Sequence, residues 1–366
     1  MIRLAKPNID KDAIDSLTDV LISGNLVQGE KVRQFEKTLE EYLGVKYAIV
    51  VSSGTAALHL SLLALNIKQD DEIIIPAFTY PATANAVEII GAKPVLVDIS
   101  LDDFCCDIKK MENLINSKTK AIMPVHEFGQ VADMQPLISI AEKYGLKIVE
   151  DSACALGAEY NGKKAGTMGD IGCFSFHPRK ALTTGEGGVA VTDNKDLAER
   201  LRAYRNHGIN VSKEKFDFKY AGLNYRMTDF QAVLGIHQLV KLKTQIKYKL
   251  EQAREYDRIF KDFELVDIPS KINGRVAVYQ SYHILLNNKI NRDDIITALK
   301  KVGIETNLGA YAIHMITFYK KKYNFNNDDF PNSKIAYENG LVCPIGDHIS
   351  FSDIKKITSQ ILGLIK

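Results

Sequence analysis

Cysteine is scarce in this chain, and what there is forms no ligand pattern. The five cysteines among 366 residues, at 105, 106, 154, 173 and 343, are odd in number and show no CxxC spacing. That argues against a zinc site and for a reducing compartment. Long apolar runs are missing too. No stretch reaches the roughly 18 uninterrupted apolar residues of a membrane span, and the opening MIRLAKPNIDKDAI has neither an apolar h-region nor a cleavage site. A cytoplasmic protein with no membrane partner is the expectation. Nor is there an excess of one charge: 47 Lys and Arg against 45 Asp and Glu leave a net +2. Both signs mix along helical stretches such as KYKLEQAREYDRIFKDF from Lys247, the pattern of a solvated face and not of a phosphate-binding stripe, so no nucleic-acid partner is expected. Internal repeats are absent, and low complexity is confined to the Asn-rich NFNNDDFPN.

What is there is punctuation. NIDKDAIDSLTDVLISG reads as a helix capped by Asp10, with Ile14, Leu17 and Leu21 on one face. Past the GNLVQG loop, EKVRQFEKTLEEYLG is a second helix that stops at Gly44. Strand-like runs then alternate with helical ones: Tyr47 to Val51, DEIIIP, AKPVLVDI, KAIMPVHEFG, KIVEDSA, Ile171 to Phe176 and GGVAVTD, with AFTYPATANAVEIIG read as a helix from its start. This βαβ rhythm predicts an α/β fold with a mostly parallel sheet covered by helices. VSKEKFDFKYAGLNYR shows no periodicity and reads as a surface excursion. Thr228 and Gln231 have capping-box spacing before a helix reaching about Phe263. Pro269 and Gly274 mark a connector, after which VAVYQSYHILL, RDDIITALKKVG and SDIKKITSQILGLI suggest a smaller α/β domain. The expected division is a large domain over 1–245 and a small one over 246–366.

In such sheets ligands gather beyond the carboxyl ends of the strands, which places SSGT at 52–55, Tyr80, His126, Asp151 and Lys180 on one edge. SSGT joins a strand to a helix, so unpaired N–H groups and the helix dipole make it an anion site, or else merely a well-capped helix start. In IGCFSFHPRKALTTGEGG, a strand is broken by His177 and Pro178, and Lys180 follows before Gly185, Gly187 and Gly188. A lysine held at a strand end against apolar surface can lose some of its ammonium character and become a nucleophile for an aldehyde, although a lysine taken alone is far more often a solvated surface charge. A reactive lysine, an anion site and a nearby acid are what pyridoxal phosphate (PLP) requires: an amine for its aldehyde, donors for its phosphate and a carboxylate for its pyridinium.

SSGTAALHLSLLAL, PAFTYPATANA, GAKPVLVDI, VEDSACALGAEYNGKKAGTMGDIGCFSFHPRKALTTGEGG and LNYRMTDFQAVLGIHQL resemble successive motifs of the DegT-type sugar aminotransferases (the DnrJ/StrS group), PLP enzymes of fold type I. The likeness is collinear from about Asn25 to Leu242 and looser beyond. It implies that Lys180 is the Schiff-base lysine, where a dehydrating branch has histidine, and that Asp151 is the pyridinium partner. It further implies phosphate contacts from Gly54, Thr55 and Ser175, an aromatic ring at Tyr80 stacked on the cofactor, and a loop, Asn224 to Arg226, reaching the phosphate site of a neighbouring subunit in a homodimer. Cys154 stands near the phenolic oxygen where many relatives have Gln or His, and is a poor hydrogen-bond partner there. A tight glycine turn after Lys180 would let the backbone pass close to the cofactor. His177, Tyr311 and His314 are candidates for the substrate, although an imidazole at a strand end, His126 included, commonly just satisfies backbone groups; Glu186 stays undecided. The implied activity moves an amino group from L-glutamate to a keto-sugar nucleotide, a 4-keto sugar being favoured, with Lys180, its pKa lowered, shuttling the proton. The alternatives are an aminotransferase or dehydratase for another keto-sugar, a cyclitol or a small keto-phosphate, and a non-catalytic regulatory homologue.

Overall fold

The computed structural model describes residues 1–212 and 215–365. Seven strands form the central sheet in the order Tyr47–Val51, Gly188–Thr192, Ile171–Ser175, Lys147–Asp151, Thr119–Ile122, Glu72–Pro76 and Lys93–Val97. Gly188–Thr192 runs against both of its neighbours, and the other strands are parallel to one another. Period-two alternation sends successive side chains to opposite faces. Ile49, Val51 and Ala190 join one core with the helices Gly54–Ala64, Ala82–Ile89 and Lys195–Arg205, while Ala48, Val50 and Val189 join another with Glu30–Leu43 and the long helix Asp229–Phe260.

The helix ends follow the capping residues. Asp10 accepts the Ala13 N–H at 3.0 Å, and Gly24 ends that helix in the left-handed region. Glu30–Leu43 has no capping side chain of its own. Its donors go to Asp229, 200 positions away, which accepts the N–H groups of Gly29 at 2.7 Å and Val32 at 3.0 Å. Gly29 is needed there, because a Cβ would sit 2.6 Å from the Asp229 carboxylate. Thr228, as expected, precedes the long helix and donates its N–H to Gln231 Oε1 at 3.1 Å.

Several expectations change. The first helix, Lys11–Ser23, buries Ala13 and Val20, whereas Ile14 and Leu21 are 51% and 54% exposed. The small Ala13 lets the helix lie close on the long helix, and this turns Ile14 and Leu21 outward. The stretch at 77–91 is not helical from its start: Phe78–Thr79 pairs with Tyr311–Ala312, and the helix begins at Ala82 after Pro81. In the expected surface excursion, Ile209–Ser212 pairs with Lys215–Phe218; Lys213 and Glu214 lie outside the described residues.

A further core gathers Tyr256, Phe260, Tyr282, Leu299 and Ile357 around a three-stranded sheet of Val266–Asp267, Tyr282–Leu286 and Gly340–Cys343. The 245/246 division falls inside the long helix, which runs unbroken through it. Contacts cross that division in both directions: Ile2 exchanges backbone hydrogen bonds with Gly303 and Glu305, and Ile313 and Tyr319 sit in the same core as Gly54–Ala64. Among the described residues no helix is long and apolar enough to cross a membrane.

One buried carboxylate locks the strand ends beneath the cavity. Glu150, fully buried, accepts the N–H groups of Met168 and Gly169 at 2.6 Å, Gly166 at 2.8 Å, and His126 Nε2 at 2.9 Å. Because His126 Nδ1 accepts the Ala132 N–H at 3.1 Å, its proton lies on Nε2. Glu150→Gln places an amide donor among donors; it is expected to cost about 3–5 kcal/mol, as for breaking a buried charged network, read as a lowered urea midpoint.

Candidate active site

The strand ends open onto a cavity of about 670 Å³. It is lined by Gly54, Thr55, Tyr80, Asp151, Cys154, Ser175, His177, Lys180 and Tyr311, so these nine residues singled out in the sequence meet there, whereas His126 lies outside the lining. Asn224, Arg226 and His314 do not line it. Asn224 pairs with Asn206, and Arg226 Nη1 donates to Asn206 Oδ1 at 2.6 Å along the sheet's edge. His314 is fully buried in a short helical turn, its Nε2 at 3.1 Å from the Asn327 carbonyl and its ring 5.0 Å from that of Phe330.

The anion end is built by close approach. Ser53 caps the helix Gly54–Ala64 by accepting the Ala56 N–H at 3.0 Å. The Gly54 and Thr55 N–H groups come before the first intrahelical bonds and are free for an anion. A Cβ on Gly54 would lie 2.8 Å from Ser175 Cβ, and one on Gly188 2.6 Å from the Ser53 carbonyl. Of the glycines after Lys180, Gly187 is pressed by the Thr184 and Met227 side chains, and Gly188 closes on the backbone of the Ser53–Gly54 turn. Gly185, with φ of 81°, makes the bend. The Ser175 hydroxyl accepts the His177 N–H at 3.4 Å and borders the same space.

Deeper in, Lys180 Nζ donates to Cys154 Sγ at 3.0 Å. The expectation of a lowered lysine pKa is reversed in the free protein. Burial disfavours the ammonium, but Cys154, Glu127 and Asp151 outweigh it and hold the pKa above its ordinary value. Asp151 accepts the Thr83 hydroxyl at 2.8 Å and the Ala153 N–H at 3.2 Å. Burial still pushes its pKa up, and a cationic ring nitrogen placed against it would reverse that push. The cradle that only glycine permits, the free helix N–H groups, the buried amine and the buried carboxylate fit PLP. Lys180 would hold its aldehyde, Gly54, Thr55 and Ser175 its phosphate, and Asp151 its pyridine nitrogen.

Tyr80, 64% exposed, stands at the mouth with its ring 6.2 Å from Tyr311 and edge-on to it. His177 Nδ1 accepts the Arg179 N–H at 3.2 Å, which fixes the turn before Lys180; burial lowers its pKa. Glu186 lines the cavity, while its carbonyl accepts from Thr184 and Gln231.

Three residues escaped the sequence reading. Thr83 lies one helical turn past Tyr80 and was hidden in a helix pattern. Glu127, in HEFG, opens a short turn in the segment after Thr119–Ile122, and an acid beside His126 in that segment was a usable signal. Lys249 gave none: it belongs to the stretch read as a solvated face, yet it lines the cavity, where burial lowers its pKa to about 8 against the opposing charge of Asp347.

The chain matches the DegT/DnrJ/EryC1/StrS aminotransferase family over residues 7–362. It is 35% identical over 371 residues to a GDP-perosamine synthase of Caulobacter vibrioides, covering 98% of this chain and 97% of that one. It is also 35% identical over 373 residues to a UDP-4-amino-4,6-dideoxy-N-acetyl-beta-L-altrosamine transaminase of Campylobacter jejuni, covering 100% and 98%. The solved structure of a Streptococcus pneumoniae protein in its PLP form superposes with a TM-score of 0.94 at 29% identity, covering 100% of this chain and 98% of that one. The chain therefore belongs to the DegT/DnrJ/EryC1/StrS aminotransferase family, as a PLP-dependent aminotransferase of fold type I.

Proposed function

We propose that this protein transfers the amino group of L-glutamate to the ketone of a nucleotide-linked sugar, at C4 in preference to C3, as a cytoplasmic homodimer. The observation that carries the reading is the meeting of Lys180, Asp151 and the Gly54–Ser175 cradle in one cavity. The "4-amino" in the name of the Campylobacter jejuni relative supports C4.

Bound PLP supplies a ring that delocalises the electron pair left when a proton leaves the amine-bearing carbon. The protein supplies the rest. Asp151, buried and anchored by Thr83, holds a positive ring nitrogen by charge. Lys180, tethered at a strand end, is placed to take that proton and return it to the neighbouring carbon. Its amine must first lose its own proton, which the surrounding acids oppose. The helix N-terminus at Gly54 and the Ser175 hydroxyl fix the phosphate and so the distance between ring and lysine. Tyr80 and Tyr311 give the mouth two aromatic faces of the kind on which sugars and bases stack.

A dimer is supported by two features. Ile14, Leu21, Ile22, Val27 and Val240 expose an apolar surface where the first helix meets the long one, and such surface marks protein contacts. Arg226 and Asn224 lie outside their own cavity, as residues serving a partner's cavity would. Mixing Lys180→Ala with Arg226→Ala subunits is expected to recover activity that neither variant has alone, as a shared site requires; no recovery would sink the shared-site reading.

With L-glutamate alone, the PLP-loaded protein is expected to release stoichiometric 2-oxoglutarate. Lys180→Ala should slow this by about 10³-fold or more, the scale of a lost general acid–base group, and Asp151→Asn by about 10²–10³-fold, the scale of one lost electrostatic stabiliser. Adding 4-keto and 3-keto sugar nucleotides to the aminated protein should consume the 4-keto compound first. Turnover of free keto-sugars, cyclitol ketones or keto-phosphates only would overturn the sugar-nucleotide reading, and no half reaction at all would favour the regulatory homologue.

A further inference from the structure

Glu127 is a buried carboxyl that the roles above leave unused. It is 4% exposed, lines the same cavity as Lys180 and Asp151, and follows His126 as the first residue of a short helical turn. Its carboxylate has one hydrogen bond among the described residues, from the Phe128 N–H at 3.3 Å. Phe128 sits in the left-handed region, φ 54°, a conformation that an aromatic residue adopts only when its surroundings impose it. They do so here. The Phe128 ring stacks on His283 at 4.3 Å and packs edge-on against Phe104 at 5.6 Å, and the Phe128 carbonyl accepts the Gln280 N–H at 3.0 Å. A strained turn, clamped from both sides, aims this carboxyl at the cavity wall.

The charges around it narrow its role. From its own segment Lys180 is accompanied by His177, Arg179 and Glu186, and from the end of Lys147–Asp151 it meets Asp151 and Cys154. Lys249 from the long helix, Lys6 from the N-terminal segment, and Asp347 and His348 from the C-terminal loop line the same cavity. Three of these groups hold the Lys180 ammonium against burial: Cys154, Glu127 and Asp151. The Cys154 thiol is itself pushed up by burial, so it contributes a hydrogen bond more than a charge. Asp151 is already engaged by Thr83 and the Ala153 N–H. Glu127 remains, with burial raising it to about 7 while Lys180 pulls it back.

We propose that Glu127 is a positioning residue for Lys180: its carboxylate, fixed by the Phe128 turn, retains the proton on the lysine amine and so sets when that amine is free to act. The inference rests on Lys180 being the reactive amine but not on which ketone is aminated. Above neutral pH Glu127 is ionised and favours the ammonium. Neutralising it lowers the pH at which the amine becomes free.

The test uses the full chain freed of cofactor. Competitive acetylation by acetic anhydride, read by peptide mass spectrometry across pH 6–11, gives the reactivity of Lys180 with exposed Lys195 as internal standard. Glu127→Gln keeps an oxygen for the Phe128 N–H. It is expected to shift the Lys180 midpoint down by about one unit, making labelling at pH 8 about tenfold faster, with Lys195 unchanged. A superimposable Lys180 profile would overturn the proposal. The reciprocal measurement does not need that variant to fold: in Lys180→Met, the infrared carboxylic-acid band of Glu127 should persist to higher pH than in the unaltered protein, and an unmoved titration would equally count against the coupling. Both readouts are independent of 2-oxoglutarate release, so failure here and failure of the transamination reading are distinguishable.

Discussion

Glu150 is the constraint on which the site depends. An acceptor-only carboxylate sealed from water needs donors for both oxygens, and here they come from the far side of the following loop, at Gly166, Met168 and Gly169, and from His126 in the segment after the adjacent strand. Satisfying that one group draws together the ends of Thr119–Ile122 and Lys147–Asp151 and the loop that leads into Ile171–Ser175. The residues next to it in sequence then have little freedom. Asp151 emerges on the cavity side, Glu127 follows His126, and Cys154 lies within reach of Lys180. The chemistry-bearing side chains are thus set by a neighbour that never touches substrate.

The same crowding explains why the lysine does not behave as an isolated buried amine would. Desolvation alone lowers a lysine pKa, but here Cys154, Glu127 and Asp151 share the cavity with Lys180, and their fields prevail over its burial. Lys249, in the same cavity but facing only Asp347, shows the opposite outcome, with burial prevailing. Two lysines of one cavity differ because their neighbours differ, not because their burial does.

The sheet was largely legible in the sequence, because its strands are short apolar runs bounded by turn residues, and several of the following helices carry their own caps, such as Ser53 and Asn194. Lys180, Asp151 and the Gly54 turn were legible for a related reason: their chemistry is tied to strand ends, which punctuation reveals. Side-chain direction was not. Ile14 and Leu21 satisfy helical spacing as well as Ala13 and Val20 do, and only the close packing on the long helix decides which pair is covered. His314 fell in a stretch with no periodicity, where a short turn folded it under Phe330. The field at Lys180 depends on groups 26 to 53 positions away, and no local pattern encodes it.

The origin of the cavity walls separates the parts of the molecule by task. The cofactor-facing floor comes from strand ends and one helix start, which the sheet's register holds in place. The outer wall comes from elsewhere: Lys6 and Asn8 at the N-terminus, Lys249 on the long helix, and Asn307, Tyr311, Asp347 and His348 from loops of the C-terminal third. Apart from Lys249, which stands on a regular helix, and Tyr311, which pairs with Thr79, these residues lie in loops and carry little periodic signal. The floor of the cavity is thus built from the most patterned parts of the chain, and most of its outer wall from loops that carry little pattern.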